Sequence, residues 1–103
     1  MGIRVWLDDI RPMPEGYDLW CKTAQDCLHE VEKGRVDYIS FDHDLGHLEE
    51  DGSWLADEIE FLAYKDKIQS IAWDVHSSNP VGRKVIDYCM KNMNSILNRY
   101  RMK

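Results

Sequence analysis

Three short apolar runs, each ending at a charged or hydrogen-bonding residue, govern what this chain can fold into. Ile3 to Leu7 stops at Asp8-Asp9, Val36 to Phe41 stops at Asp42, and Ile71 to Val75 stops at His76. Each run is rich in β-branched and aromatic residues, and each reads as a buried strand. Asp18 to Cys21 reads as a further short strand, second in chain order. The link Ile10-Arg11-Pro12-Met13-Pro14-Glu15-Gly16 is not helical, because its two prolines remove donors and restrict their predecessors. Helical signals fill the other gaps. Thr23-x-x-Asp26 is similar to a capping box, and Ala24, Cys27, Leu28 and Val31 follow at i, i+3, i+4 and i+7 until Gly34 ends the stripe. Ser53 is expected to cap a second helix whose Leu55, Ile59 and Leu62 share a face. Pro80 suits the first position of a third helix behind an Asn79 or Ser78 cap, with Val81, Val85, Cys89, Met93 and Ile96 as its stripe. The order β-loop-β-α-β-α-β-α implies a parallel sheet with right-handed crossovers, helices being expected on both faces.

The chain's 103 residues suffice for one domain, taken as residues 1–103, and one core. No internal repeat, low-complexity tract or linker divides it. Its 19 acids against 13 bases leave a formal charge of −6, which excludes a sequence-independent grip on a nucleic-acid backbone. Contact with RNA or DNA would be confined to an end or a single nucleotide. The cysteines Cys21, Cys27 and Cys89 are odd in number and form no C-x-x-C pair, against a disulfide framework or a thiolate zinc site. No segment reaches the ~20 apolar residues of a membrane span, and Met1-Gly2-Ile3-Arg4 does not open a signal peptide. A reduced, cytoplasmic protein with no membrane partner is the expectation.

In parallel α/β sheets the ligand crevice lies outside the carboxyl ends of the strands, and three polar clusters fall there. The first is Asp8-Asp9 with Arg11, the second Asp42-His43-Asp44-Leu45-Gly46, the third His76-Ser77-Ser78-Asn79-Pro80-Val81-Gly82-Arg83. In such a sheet Asp8, Asp9 and Asp42 converge within a few Å. Two carboxylates ~4 Å apart repel by about 4 kcal/mol at an effective dielectric near 20. A third makes a cation or bound protons necessary. Oxygen ligands favour a hard divalent ion, Mg²⁺ (or Mn²⁺). The plainer alternative makes these acids separate helix caps and loop solvation. In the third cluster Ser77, Ser78 and Asn79 offer donors where a helix begins, Gly82 removes bulk, and Arg83 supplies a planar fork, all suited to a phosphate. A simple capped helix start explains Asn79-Pro80 equally well. His43 and His76 are the candidates for proton transfer, against a structural role as hydrogen-bond partners. His29 and His47 receive no task, and Glu49-Glu50-Asp51 reads as a solvated turn. The four tryptophans read as packing, although any one could stack on a base.

An Asp pair after the first strand and a further Asp after the third resembles the pattern of response-regulator receiver domains. There Asp42 would match the phosphoacceptor, Asp8 and Asp9 the Mg²⁺-binding pair, and Ser77 or Ser78 the hydroxyl after the fourth strand. The Pro-rich link replaces a receiver's first helix, and the fifth strand with its lysine is missing. A closer resemblance is to the cyclic-phosphate processing receiver domains, over Arg4 to about Met93. Leu7-Asp8-Asp9-Ile10-Arg11-Pro12-Met13-Pro14 is similar to their L-D-D-x-R-x-P opening, Asp42-His43-Asp44-Leu45-Gly46 to their D-H-D-L-G core, and His76-Ser77-Ser78-Asn79-Pro80-Val81-Gly82 to their H-S-x-N-P-x-G signature.

The expected fold is a truncated receiver-like (flavodoxin-like) three-layer α/β sandwich, with about four parallel strands in order 2-1-3-4 and about three helices. The resemblance implies a metal-dependent phosphoesterase acting on cyclic or terminal phosphates of nucleotides or RNA ends. Asp8, Asp9 and Asp42 would hold the ion, and Asp44 would ligate it or orient a ligand. His43 or His76 would move the proton, Ser77, Ser78, Asn79, Gly82 and Arg83 would hold the phosphate, and Arg11 would steady the acids or the substrate. Two alternatives stand beside it: a signalling module phosphorylated on Asp42, and a non-catalytic nucleotide-binding regulator. A homodimer through the face left by the missing strand is a further expectation, unless Tyr100 and the last helix cover that face.

Overall fold

Strand β1 spans Ile3–Leu7, β2 Leu19–Cys21, β3 Val36–Phe41 and β4 Ala72–Val75, and helix α1 spans Ala24–Glu32, α2 Gly52–Tyr64 and α3 Pro80–Arg101. The structure is a computed structural model that describes residues 2–46 and 50–101. All strand pairs are parallel, and the sheet runs β2-β1-β3-β4 as the sequence predicts. Together these elements make a receiver-like α/β fold.

Side chains alternate across the sheet as the pleat requires. Val5, Leu7, Ile39 and Phe41 are fully buried in one core with Leu55, Ile59, Ile86, Met90 and Met93 of the helices. Arg4, Trp6, Tyr38 and Ser40 occupy the intervening positions of β1 and β3 and belong to the opposite face. Here the expectation of helices on both faces is corrected: α1 packs on α2 and α2 on α3, so the three form a single layer. The Pro-rich link makes no helix, which leaves the second face to the loop between β1 and β2. That loop is pinned by Arg4, whose guanidinium lies over the rings of Tyr17 (5.2 Å) and Tyr38 (4.1 Å). The same side chain donates from Nε to the Gly16 carbonyl at 2.9 Å, and its backbone N–H reaches Asp18 Oδ2 at 2.9 Å.

Local signals explain the helix boundaries. Thr23 caps α1 by accepting from the Asp26 N–H, and beyond its end Gly34 takes the left-handed backbone (φ +75) that glycine adopts without a steric cost. Helix α2 is capped by Asp51, not Ser53: the Asp51 carboxylate accepts from the Trp54 N–H at 2.9 Å. Ser53 lies inside the first turn, its Oγ buried without a hydrogen-bond partner. Helix α3 starts as expected, Asn79 Oδ1 accepting from the Gly82 N–H at 3.0 Å.

Its buried stripe is a different one at the start. Gly82, Ile86, Cys89, Met90, Met93, Ile96 and Leu97 face inward, while Val81, Val85 and Tyr88 are exposed. Gly82 sets this rotation, because its backbone lies so close to His43 that a Cβ would stand 2.3 Å from the ring. Further on, the Tyr100 hydroxyl donates to the Tyr64 carbonyl, joining the ends of α3 and α2, while Ala72 and Asp74 of β4, paired with Tyr38 and Ser40 on the face opposite the helices, are exposed. Cys21, Cys27 and Cys89 are all buried free thiols. No described helix is long and apolar enough to cross a membrane.

Candidate functional site

The strand ladder delivers three predicted residues to one place. The Asp42 N–H donates to the Leu7 carbonyl at 3.0 Å, and the His76 N–H to the Phe41 carbonyl at 2.9 Å, so the first residues beyond β1, β3 and β4 align side by side. Asp8, Asp42 and His76 thereby bring one ligand atom each within 4.8 Å of one another. Asp8 is 1% exposed and Asp42 7% exposed, so both carboxylates are held out of bulk water.

The two acids are treated differently by their surroundings. Asp8 Oδ1 accepts the N–H groups of Ile10 and Arg11, each at 2.8 Å, while Oδ2 lies 3.0 Å from His76 Nε2. Burial pushes the Asp8 carboxyl up, but these donors outweigh it and hold it below the usual aspartate range. For Asp42, burial comes first and the Asp8 charge second, and together they raise it above the ordinary value against the pull of His76 and Arg11. Environments that push neighbouring acids apart are a mark of functional sites.

His76 is fixed from every side. Its Nδ1 is 2.8 Å from Ser40 Oγ and its Nε2 meets Asp8, while the ring lies flat on the Trp6 indole with centroids 3.8 Å apart and planes 6° from parallel. Arg11 Nη1 donates to the His76 carbonyl at 3.1 Å and stands 3.9 Å from Asp8 Oδ2. Trp6 Nε1 donates to the Arg11 carbonyl at 2.9 Å, and Trp20 Nε1 to the Asp8 carbonyl at 2.7 Å.

A second cluster forms around His43. Its Nδ1 is 3.0 Å from Asp44 Oδ1, its Nε2 is 3.3 Å from Asp51 Oδ2, and Asn79 Nδ2 comes within 3.3 Å of Nδ1. Asp44 is an exposed carboxylate held below its usual range, chiefly by the hydrogen bond to His43. It therefore sits with His43, outside the Asp8–Asp42–His76 group. Asp9 is also outside that group, its Oδ2 facing Gly46 instead.

The expected phosphate donors are divided. Ser77 is buried and its Oγ accepts from the Asn79 N–H at 3.1 Å, while Ser78 is exposed. Asn79 is occupied as the α3 cap and as a partner of His43 and Asp44. Arg83 lines a recess of about 410 Å³ with Trp73, Asp74, Val75, Lys84 and Asp87, between β4 and α3. It belongs to that recess, because Gly82 faces His43 and the next residue turns away from the rim. His47 and Glu49 lie outside the described residues.

Ser40 has no role in the sequence analysis; Trp6 and Trp20, expected as packing, also donate to the Arg11 and Asp8 carbonyls, and Asp51, expected in a solvated turn, instead caps α2 and faces His43. A serine inside the otherwise apolar end of a strand, two positions before the turn acid Asp42, was the one available signal for Ser40. Gly52 is a further member, since a Cβ there would stand 2.2 Å from the Asp42 carbonyl oxygen.

Two buried carboxylates and an imidazole are a donor set that can hold a divalent ion, and Mn²⁺ or another ion that accepts nitrogen fits it at least as well as Mg²⁺. No curated protein and no solved structure matches the chain. Residues 3–92 match the family model described as the cyclic-phosphate processing receiver domain, which takes in all four strands and the whole of the rim described above. With most of its length and every one of its strand-end clusters inside that match, the chain belongs to the cyclic-phosphate processing receiver domains.

Proposed function

We propose that this protein is a divalent-metal-dependent phosphoesterase that opens cyclic phosphodiesters or removes terminal phosphates of nucleotides or RNA ends. The observation that carries the reading is the convergence of Asp8, Asp42 and His76 within 4.8 Å at the carboxyl ends of three adjacent strands. Family membership supports the substrate class, since its description is one of cyclic-phosphate processing. Asp8, Asp42 and His76 would hold the ion, which when bound polarises a phosphoryl oxygen and lowers the pKa of its water.

The remaining tasks fall to the chain itself. Arg11, beside Asp8 and anchored to the His76 carbonyl, carries the positive charge nearest the acids and orients an anionic substrate toward them. His43, flanked by the Asp44 and Asp51 carboxylates, is the proton-transfer group, because His76 would be taken up as a ligand of the ion. Exposed Ser78 and the N-terminal turn of α3 supply donors for phosphate oxygens.

Incubation of the purified protein with 2′,3′-cyclic nucleotides and Mg²⁺ or Mn²⁺ should yield the opened monophosphate. Asp42→Asn should remove the activity, and His43→Gln should lower kcat by about 10²–10⁴-fold. Absence of product with any divalent ion overturns the reading. An acid-stable, hydroxylamine-sensitive adduct with acetyl phosphate would favour phosphoacceptor signalling at Asp42, and tight binding without product would favour a sequestering protein.

A further inference from the structure

Among the groups around His76, Ser40 has no explanation in packing. It is 1% exposed, sits among apolar neighbours on β3, and points its hydroxyl at His76 Nδ1 from 2.8 Å. The opposite ring nitrogen, Nε2, lies 3.0 Å from Asp8 Oδ2. A carboxylate oxygen only accepts, so Nε2 must carry the proton in that contact, and a neutral ring then has a bare Nδ1. Ser40 Oγ–H must donate to it.

If Asp8, Asp42 and His76 held a divalent ion, each of these roles would reverse. The Nε2 lone pair must face the ion, the ring proton must reside on Nδ1, and the partner of Nδ1 must accept. A carboxylate or carbonyl in place of Ser40 would serve only the second state, and an ammonium only the first. A hydroxyl rotates in place and serves both. The Trp6 stack and the Arg11 bond to the His76 carbonyl hold the ring still while the proton is relocated.

We propose that Ser40 is a positioning residue that selects the tautomer of His76, donating to Nδ1 in the metal-free protein and accepting from Nδ1–H when a divalent ion occupies Asp8, Asp42 and His76. This rests on the metal site of the proposed function and adds the residue that adapts it to the empty and loaded states.

The test is ¹⁵N–¹H correlation spectroscopy of the imidazoles of the intact protein at pH 8.5, about two units above the value of a free imidazole. Spectra of His76→Gln assign the signals. Metal-free wild type should show the proton on Nε2, and saturating Mg²⁺ or Zn²⁺ should move it to Nδ1. Ser40→Ala should bind the ion, measured by titration calorimetry, more than about tenfold more weakly, and Ser40→Thr should recover most of that loss. Thermal unfolding confirms that both variants fold, and the tautomer readout applies to whichever does.

A metal-free wild type with its proton on Nδ1 overturns the proposal, as does a Ser40→Ala protein that binds the ion like wild type. Wild type that carries the proton on Nε2 but binds no divalent ion overturns the metal reading of the site and, with it, the accepting role of Ser40. Metal binding that is intact in both wild type and Ser40→Ala leaves the metal reading standing and removes Ser40 alone.

Discussion

Asp8 takes two backbone N–H groups on one oxygen and the His76 ring on the other, so its removal orphans buried donors in two segments at once. Asp8→Ala should lower stability by about 1–3 kcal/mol in urea unfolding. Asp42 has the opposite balance, since burial and the Asp8 charge raise its carboxyl in the folded state. The native form therefore binds that proton more tightly than the unfolded chain, and the contribution of Asp42 is full below the ordinary value of 3.8 and is lost as pH rises through the higher native value. Asp42→Asn should thus be more stable than wild type at pH 7, with the gain shrinking toward pH 3, as thermal unfolding at the two pH values would read. A mutation that abolishes activity and stabilises the fold is the signature of a strained functional acid. Cys89 supplies a further check. Its thiol is pushed up to about 11 by burial and by Glu60 and Asp57, so native alkylation at pH 8 should be far slower than that of the unfolded chain. At this scale Asp8, Asp42 and His76 were legible because each is a polar residue closing an apolar run. Ser40 and Trp6 were not, because they act through an imidazole distant in sequence, and a strand residue's chemistry is invisible until its neighbours across the sheet are known.

Two glycines hold the elements of the rim together. At ordinary interior helix positions Gly→Ala stabilises by about 0.5–1 kcal/mol, but at Gly52 and Gly82 the added carbon has nowhere to go. A Cβ at Gly52 would meet the backbone carbonyl of Asp42 at 2.2 Å, and one at Gly82 the His43 side chain at 2.3 Å. Gly52→Ala should be the more damaging, because a backbone carbonyl yields less readily than a ring. Gly82→Ala should cost about 1–3 kcal/mol and displace His43 from Asp51, visible as a changed His43 imidazole signal. The strands and their order were readable in the sequence, since apolar runs separated by helical stripes leave few parallel arrangements. The inward face of α3 was not, because Val81-Val85-Cys89 and Ile86-Met90-Met93 are both apolar rows, and only the fit of Gly82 against His43 decides between them. The α2 cap was misread for a similar reason. Asp51 and Ser53 are both good capping residues two positions apart, and the contact between Gly52 and the Asp42 carbonyl selects the earlier start.

The net charge of −6 acts on the molecule as a whole. A substrate RNA should be held by its end and repelled along its length. Binding of an oligonucleotide with a 2′,3′-cyclic end should fall with salt at a log–log slope no steeper than about −1, that of one or so phosphate contacts. A steep slope, or equal affinity for a blocked end, would point to an extended track instead. The single helical layer was within reach of the sequence, because right-handed crossovers in the order 2-1-3-4 put the helices on one face once the Pro-rich link forms no helix; the expectation of helices on both faces overlooked that direction. The consequence of that layer is one of depth. The molecule measures 42 × 30 × 19 Å, a slab whose acids sit at the carboxyl edge of its sheet. For the proposed reaction the phosphate is met at the lip of the slab, where the terminus of a long polymer docks as easily as a mononucleotide, and a linkage buried within stacked bases has no way to reach the acids.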